Sequence, residues 1–411
     1  MDTHIIESAK RCLQCKKPRC REHCPIKTPI PQMIQMFLNG SIKDAGDMLF
    51  KNNPLSVVCS LVCPHESQCE GNCILGNKGE PVQISSIEHY ISNYYLNSMN
   101  LRPAEPKGRQ VGIIGSGPAG ITIAFLLALK GYRITIFEAH DKIGGVLRYG
   151  IPEFRLPKTI MDKMQQRLFE MGVKIRPNTM IGKIISIDDL FQDGYEALFI
   201  GTGVWRPNRL RIKGESLGHV HFAIDYLKNP AVYQLGERVC VIGAGNVAMD
   251  AARTAIRNGA REVYILYRQG REDMTARQNE IQFAEIDGVH FEFYKTPLEF
   301  THQGVRYLET KRVEVETEQG PEQVTAEQEG FLKADSVIVA VSQLPRDIIV
   351  GNTKAIDVNG KGLIITDEYG RTTREGVFAS GDVVTGARTV VEAARVSKNV
   401  AQAIDEYLSN K

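Results

Sequence analysis

The sequence predicts an α/β chain with two Rossmann-like dinucleotide-binding domains, preceded by a mainly helical domain rich in cysteine. Three observations carry this reading. A strand, a glycine turn, a helix and a second strand follow one another in VGIIGSGPAGITIAFLLALKGYRITIFE (111–138). The same arrangement returns in RVCVIGAGNVAMDAARTAIRNGAREVYILYR (238–268), an internal repeat that implies two related nucleotide-binding domains. Eight of the nine cysteines lie before residue 74.

A chain of 411 residues has room for two or three domains with full cores. Its composition, 43% hydrophobic and 24% charged, is that of a folded globular protein, and a net charge of +2 gives no broad field for nucleic acid or a membrane surface. Lys10, Arg11, Lys16, Lys17, Arg19 and Arg21 make one stretch locally basic, which reads as a solvated face. The opening MDTHIIESAK has no apolar signal core, and the longest apolar run, ITIAFLLAL at 121–129, is too short to span a bilayer. A cytoplasmic protein is expected, and in a reducing cytosol such crowded cysteines point to metal or cluster ligation rather than disulfides.

In chain order, residues 1–105 form the cysteine-rich domain, with helical spacing in IPQMIQMFLNGS, and the proline- and charge-rich LRPAEPKGRQ (101–110) reads as a linker. The first nucleotide-binding domain takes 106–204 and 344–411, and the second 205–343. GYEALFIGTGVWRPN (194–208) gives a strand ending in a glycine turn; VHFEFY, RVEVETE and SVIVAVS give strands that complete the second domain. GVFASGDVV opens the C-terminal part with a short strand and a glycine turn, and an amphipathic helix closes the chain.

Between strand and helix of the first unit stand Gly115, Gly117 and Gly120, with Pro118 and Ala119 inside the motif. This spacing lets the backbone turn tightly, approach a pyrophosphate and pack the helix on the strand, while the helix N-terminus offers free N–H groups. Glu138 follows eighteen residues after Gly120, where a carboxylate accepts from adenosine ribose hydroxyls. The second unit has Gly243 and Gly245, then Asn246 and Val247, with Ala248 at the packing position. Its second strand ends at Tyr267 without an acid, and Arg268 and Arg271 follow, as a 2′-phosphate would require; Glu272 and Asp273 pull the other way. FAD in the first domain and NADPH or NADH in the second are expected.

The string IGGVLRYGIPEFRLPK (143–158), with GSGPAG, GAGNVAMD, YRQGREDMTAR (267–277) and ASGDVV (379–384), resembles the small (beta) subunit of glutamate synthase and its relatives. Those relatives are the NADPH-binding subunit of ferredoxin–NADP transhydrogenases and the small subunit or N-terminal half of dihydropyrimidine dehydrogenases, and the likeness runs over essentially the whole chain. The resemblance implies that Gly144, Gly145 and Arg148 lie along the flavin and the nicotinamide approach. It implies that Gly381 and Asp382 serve the ribityl chain, and that the helix starting near Thr389 and Val390 aims its N-terminus at the pyrimidine end of the isoalloxazine, where the dipole favours an anion. Two positions depart from the pattern: Gln269 replaces a second arginine common after Arg268, and Ser342 stands where the relatives usually have glycine before Gln343.

The cysteines fall in two groups of four: Cys12, Cys15, Cys20 and Cys24, separated by two, four and three residues, and Cys59, Cys63, Cys69 and Cys73, separated by three, five and three. Two 4Fe–4S clusters use eight such positions, and ferredoxin-like runs send their last cysteine to the other cluster. Cys12, Cys15, Cys20 and Cys73 are therefore expected on one cluster, and Cys24, Cys63 and Cys69 on the other. The resemblance places Glu88 as the latter's fourth ligand, with Cys59 as the rival. Structural zinc needs thiolates too, but the proline after Cys24, the uneven spacings and the adjoining nucleotide-binding domains favour clusters. His4, His23 and His65 are expected at the surface and Cys240 in a buried strand.

Disulfide reductases of similar architecture carry a cysteine pair beside the flavin, yet no cysteine occurs in 74–239 and only Cys240 follows. The expected activity is that of an electron-input subunit, in which NAD(P)H reduces FAD, the two clusters carry single electrons onward, and a catalytic or electron-accepting partner subunit receives them. No acid or base residue is needed, since the cofactors carry the reaction. A glutamate synthase large subunit, a dihydropyrimidine dehydrogenase catalytic subunit and a transhydrogenase flavoprotein are the candidate partners. A flavin and cluster redox sensor is the non-enzymatic alternative.

Overall fold

The computed structural model describes residues 3–317 and 320–411, with the backbone alone at 312–317 and 320–325. Its N-terminal region is helical, with Thr3–Lys10, Ile30–Leu38, Ile42–Asn52 and Ile84–Ser98 around one core, and Ser56–Val62 packed against the last of these. In IPQMIQMFL the residues Ile30, Met33, Ile34 and Phe37 fall on one stripe and are buried. Ile84–Ser98 buries Ile84, Ile87, Ile91 and Tyr95 at the same spacing, and Glu88 falls inside that apolar stripe.

The chain divides into two compact units, one holding the residues up to Arg148 together with Glu153–Trp205 and Leu344–Lys411, the other Tyr149–Pro152 and Arg206–Gln343. The helical region and the first nucleotide-binding fold thus share a unit. Phe50 meets Phe125 edge to face with ring centroids 5.2 Å apart. Arg167 donates to the carbonyls of Leu96 at 3.0 Å and Asn97 at 2.8 Å, two of the last carbonyls of the helix Ile84–Ser98. Lys398 Nζ donates to Asn52 Oδ1 at 3.1 Å.

The sheet of the first unit has five parallel strands in the spatial order Val377–Ala379, Ala197–Ile200, Gln110–Ile114, Arg133–Phe137, Lys174–Arg176. Its inner strands are near-continuous apolar runs because both faces are covered. Pro118–Leu129 is apolar all round, since it lies against both the sheet and the closing helix Val390–Ser409.

The second unit repeats the plan with Val220–Phe222, Ser336–Val339, Arg238–Ile242, Glu262–Leu266 and His290–Glu292, again parallel. The strand expected to end at Tyr267 ends one residue earlier. VHFEFY and SVIVAVS supply strands of this sheet, but RVEVETE does not: it lies in Gly304–Thr317 of a separate antiparallel sheet with Lys295–Thr301 and Gly320–Lys333. Its last residue, Glu318, lies outside the described residues. Alternation of polar and apolar residues marks a strand with one solvated face, which an antiparallel sheet provides and a doubly covered parallel one does not. Among the described residues no helix is long and apolar enough to cross a membrane.

Candidate functional site

The first glycine loop follows the central strand Gln110–Ile114, and each glycine meets a different constraint. Gly115 has φ 96°, and a Cβ on it would meet the Gly201 carbonyl oxygen at 2.7 Å. A Cβ on Gly120 would meet the Gly115 carbonyl oxygen at 2.0 Å, so helix and strand pack at a distance only glycine permits. A Cβ on Gly117 would come no nearer than 4.0 Å to protein, which leaves the loop face open in front of the helix N-terminus. Pro118 and Ala119 begin that helix. Gly144 N donates to the Ser116 carbonyl oxygen at 3.0 Å, and Gly145, at φ 51°, brings its backbone against Gly117.

Glu138 is 4% exposed directly after the strand Arg133–Phe137. Its carboxylate accepts from Ser116 N at 3.0 Å, from the Ser116 hydroxyl, and from His140 N and Nδ1, both at 2.8 Å. Burial alone would raise its pKa, but the bonds from His140 and Ser116 outweigh burial and hold it below the usual carboxylate range. The Glu138 carboxylate thus stands charged beside the loop. Ser116 and His140, which orient it, have no sequence signal of their own, because only the fold brings them to the carboxylate.

Across the sheet, Gly381 takes φ 76° and Asp382 accepts from Arg388 N at 3.2 Å. Burial, then the nearby Glu392 charge, push the Asp382 pKa up to about 6. Thr389 caps the closing helix in a capping box with Glu392, and Val390 starts the helix. Arg148 Nε donates to the Ile143 carbonyl at 2.7 Å and its Nη2 pairs with Asp162 at 2.6 Å, so Arg148 braces the loop that carries Gly144 and Gly145.

In the second unit Gly243 has φ 122°, and a Cβ on it would meet the Ala340 carbonyl oxygen at 2.5 Å. A Cβ on Gly245 would make ordinary contact with Thr275 Oγ1 at 3.4 Å. Ala248 is fully buried at the packing position, Val247 packs on the same core, and Asn246 Oδ1 accepts from Arg277 N at 2.9 Å. Arg268 is exposed and makes no hydrogen bond or ion pair among the described residues. Arg271 is paired with Glu285, and Gln269 accepts from the Tyr267 hydroxyl at 2.9 Å. The departure at Ser342 has a backbone consequence: it sits at φ 75°, the left-handed region where glycine costs least.

The sulfurs gather in two places. Cys12, Cys15, Cys20 and Cys73 lie within one another's electrostatic reach, and burial raises Cys12 and takes Cys20 to about 11. Gln14, between Cys12 and Cys15, adopts φ 50° and sends Nε2 to Cys12 Sγ at 3.6 Å. The second place is a cavity lined by Cys24, Cys59, Cys63, Cys69 and Glu88, with Asn53, His65 and Val391 in its wall. Cys63 precedes Pro64 and is extended at φ −64°, ψ 150°, as that neighbour demands, which ends the helix Ser56–Val62 at the cavity.

Glu88 is 7% exposed and makes no hydrogen bond or ion pair among the described residues. Burial, then Glu70, push its pKa up to about 8. Burial also keeps Cys24 and Cys69 raised, and Cys63 is raised by its hydrogen bond to Cys59 and by burial. Thiols and a carboxyl turned into one cavity against such penalties fit a centre of positive charge, which would hold them ionised. No three His, Cys, Asp or Glu among the described residues converge as ligands of a single ion would. His65, expected at the surface, is buried in the cavity wall, because the turn through Pro64 folds it inward; His4 and His23 are exposed, and Cys240 is buried.

Comparison with known proteins finds two family matches along the chain. Residues 1–100 match a family described as dihydropyrimidine dehydrogenase domain II, 4Fe–4S cluster, and residues 109–397 match pyridine nucleotide–disulphide oxidoreductase. The glutamate synthase (NADPH) small chain of Azospirillum brasilense is 33% identical, over 100% of this chain and 90% of that one. The NADP(+)-dependent formate dehydrogenase subunit beta of Moorella thermoacetica is 34% identical over 95% of this chain and 60% of its own length. Among solved structures, FprA from Mycobacterium tuberculosis shares the fold with a TM-score of 0.62 at 17% identity, over 75% of this chain and 85% of that one. Matched from end to end by the first of these relatives, the chain belongs to the glutamate synthase small-chain family of FAD- and iron–sulfur-dependent NAD(P)H oxidoreductases.

Proposed function

We propose that the chain is an electron-input subunit that oxidises NADPH and delivers the electrons, through FAD and two 4Fe–4S clusters, to a catalytic partner subunit. When bound, these cofactors supply hydride transfer and one-electron transfer, so the chain needs no acid–base residue of its own. The open face at Gly117 admits the FAD pyrophosphate and Glu138 accepts from its ribose, while Asp382 holds the ribityl hydroxyls. The N–H groups at Val390 and Val391 present the positive end of the closing helix to the flavin's pyrimidine edge. In the second unit Gly243, Gly245 and the helix from Asn246 receive the second dinucleotide. Arg268, exposed and unpaired, takes its 2′-phosphate, and Arg271 acts less because Glu285 competes for it.

Cys12, Cys15, Cys20 and Cys73 hold one cluster; Cys24, Cys63, Cys69 and Glu88 hold the other. The observation that carries the reading is Val391. It lies in the first turn of the closing helix, 2% exposed, and it also lines the cavity of Cys24, Cys63, Cys69 and Glu88. The flavin side and the second sulfur set thus share one wall, and the order is flavin, Glu88 site, Cys12 site, partner.

The partner best supported is a glutamate synthase large subunit, from the relative that this chain matches along its whole length. The formate dehydrogenase relative supports the view that one such module serves more than one catalytic subunit. Purification from the native host tests both parts. The reading expects about eight irons and eight sulfides per chain and a co-purifying large subunit; zinc without sulfide would overturn it.

A further inference from the structure

The two sulfur sets meet solvent differently. Cys63 and Cys69 are buried, whereas Cys12, Cys15, Cys20 and Cys73 are all half-exposed, and Cys12, Cys20 and Cys73 pack on one apolar core. Two large apolar side chains beside those sulfurs face water: Leu13, next to Cys12, is 60% exposed, and Ile74, next to Cys73, is 46% exposed. Consecutive Cα atoms lie about 3.8 Å apart, so both belong to the surroundings of the same site. A lone exposed leucine would need no explanation, but apolar groups on both sides of a half-exposed sulfur set do.

The charge around them is one-sided. Lys10, Lys16, Lys17, Arg19 and Arg21 are exposed, and their side chains make no hydrogen bond or ion pair among the described residues. The Arg11 guanidinium donates to the main-chain carbonyls of Glu80 and Pro81, so no carboxylate cancels its charge. No acid occurs between Glu7 and Glu22, and Glu22 is paired with Lys27 at 3.1 Å. Beyond Cys73, Lys78 and Glu80 offset each other. The net charge of the whole chain is only +2, so these six cations form a local field. Unpaired like charges held together repel one another, and an opposing acidic surface relieves that repulsion.

We infer that this face is the docking surface for the catalytic partner subunit, which meets it with an acidic surface carrying an apolar patch. Leu13 and Ile74 supply apolar contact beside the sulfurs, and the six cations supply charge around it, the combination of which protein interfaces are made. A partner so charged is steered to the half-exposed sulfurs and shields them from water once bound. The inference rests on the proposal that Cys12, Cys15, Cys20 and Cys73 hold the cluster next to the partner.

The test is the affinity of the purified holoprotein for the glutamate synthase large subunit of the same host, measured across salt concentrations. Lys16→Glu combined with Lys17→Glu should weaken binding by about tenfold or more at low salt, with the difference from wild type shrinking as salt rises. Lys354→Glu combined with Lys361→Glu makes the same change in net charge at exposed positions elsewhere and should leave affinity unchanged. Leu13→Ser should weaken binding by about tenfold at low and high salt alike, since apolar contact is not screened. Iron content checks that the sulfur sites are filled; if Leu13→Ser loses iron, the Lys16 and Lys17 variant decides. Unchanged affinity in that variant, or an equal loss in the Lys354 and Lys361 variant, would overturn the inference. Self-association of the wild type, or its capture by phosphatidylserine vesicles, that Lys16→Glu with Lys17→Glu abolishes while large-subunit binding stays the same would also overturn it, by giving the face to a second copy or to a membrane. A wild-type holoprotein that binds no large subunit at any salt would instead sink the proposed function, and this inference with it.

Discussion

Two carboxylates of the flavin fold are perturbed in opposite directions, and the pH dependence of stability separates them. Glu138 has a folded pKa below its unfolded one, so its contribution is present above about pH 4.5 and is lost as pH falls through the folded value. Asp382 is raised to about 6, so its cost is absent in acid and complete above that value. Asp382→Asn should therefore stabilise the flavin-free protein at pH 7 by about 1–3 kcal/mol and flatten its stability between about pH 4 and 6, while weakening flavin retention. Thermal denaturation across pH and the flavin-to-protein ratio check this; unchanged stability would contradict it. Arg268→Ala should raise KM for NADPH about tenfold to a hundredfold with little effect on NADH, and Arg271→Ala should do less because Glu285 already holds that guanidinium. The glycine turns were legible in the sequence, because backbone geometry restricts residue type at Gly115, Gly120 and Gly243, and the roles proposed for the two arginines and the cysteines rest on ligand chemistry already present in the sequence. Ser116, His140, Asn53, His65 and Val391 were not: each reaches the site through a contact that only tertiary packing creates. Glu88 lay between, since a carboxylate inside the stripe of Ile84, Ile87 and Ile91 conflicts with its neighbours' burial.

At the scale of elements, periodicity identified strands and helices more readily than it identified their partners. The βαβ units are explicit because a glycine turn, a buried strand and a helix must succeed one another in a fixed order. RVEVETE shows the limit: its two-residue repeat specifies a strand, but pairing with 320–333 rather than with the parallel sheet depends on where the chain reverses. The closing helix has the clearest link from sequence to site. Thr389 accepts from Glu392 N while the Glu392 carboxylate accepts from Thr389 N at 3.1 Å, which fixes the helix start. Thr389→Ala should cost about 1 kcal/mol and also lower flavin retention, since Val390 and Val391 would no longer be held in register. Equal flavin retention at reduced stability would show that the cap is structural only.

For the whole molecule, the order of the domains was readable from cysteine density and the glycine repeat, whereas the packing of the helical region onto the flavin fold was not. Phe50, Phe125 and Arg167 make that contact and look like ordinary core and surface residues in sequence. The packing matters because it puts Val391 in the wall of the sulfur cavity. Electron flow from flavin to cluster is read out by anaerobic titration of the purified holoprotein with NADPH, followed by absorbance and electron paramagnetic resonance. The flavin band should bleach and reduced-cluster signals should appear in the same titration without any partner present. A flavin that bleaches while every cluster stays oxidised, at a potential where dithionite reduces them, would contradict that electron flow.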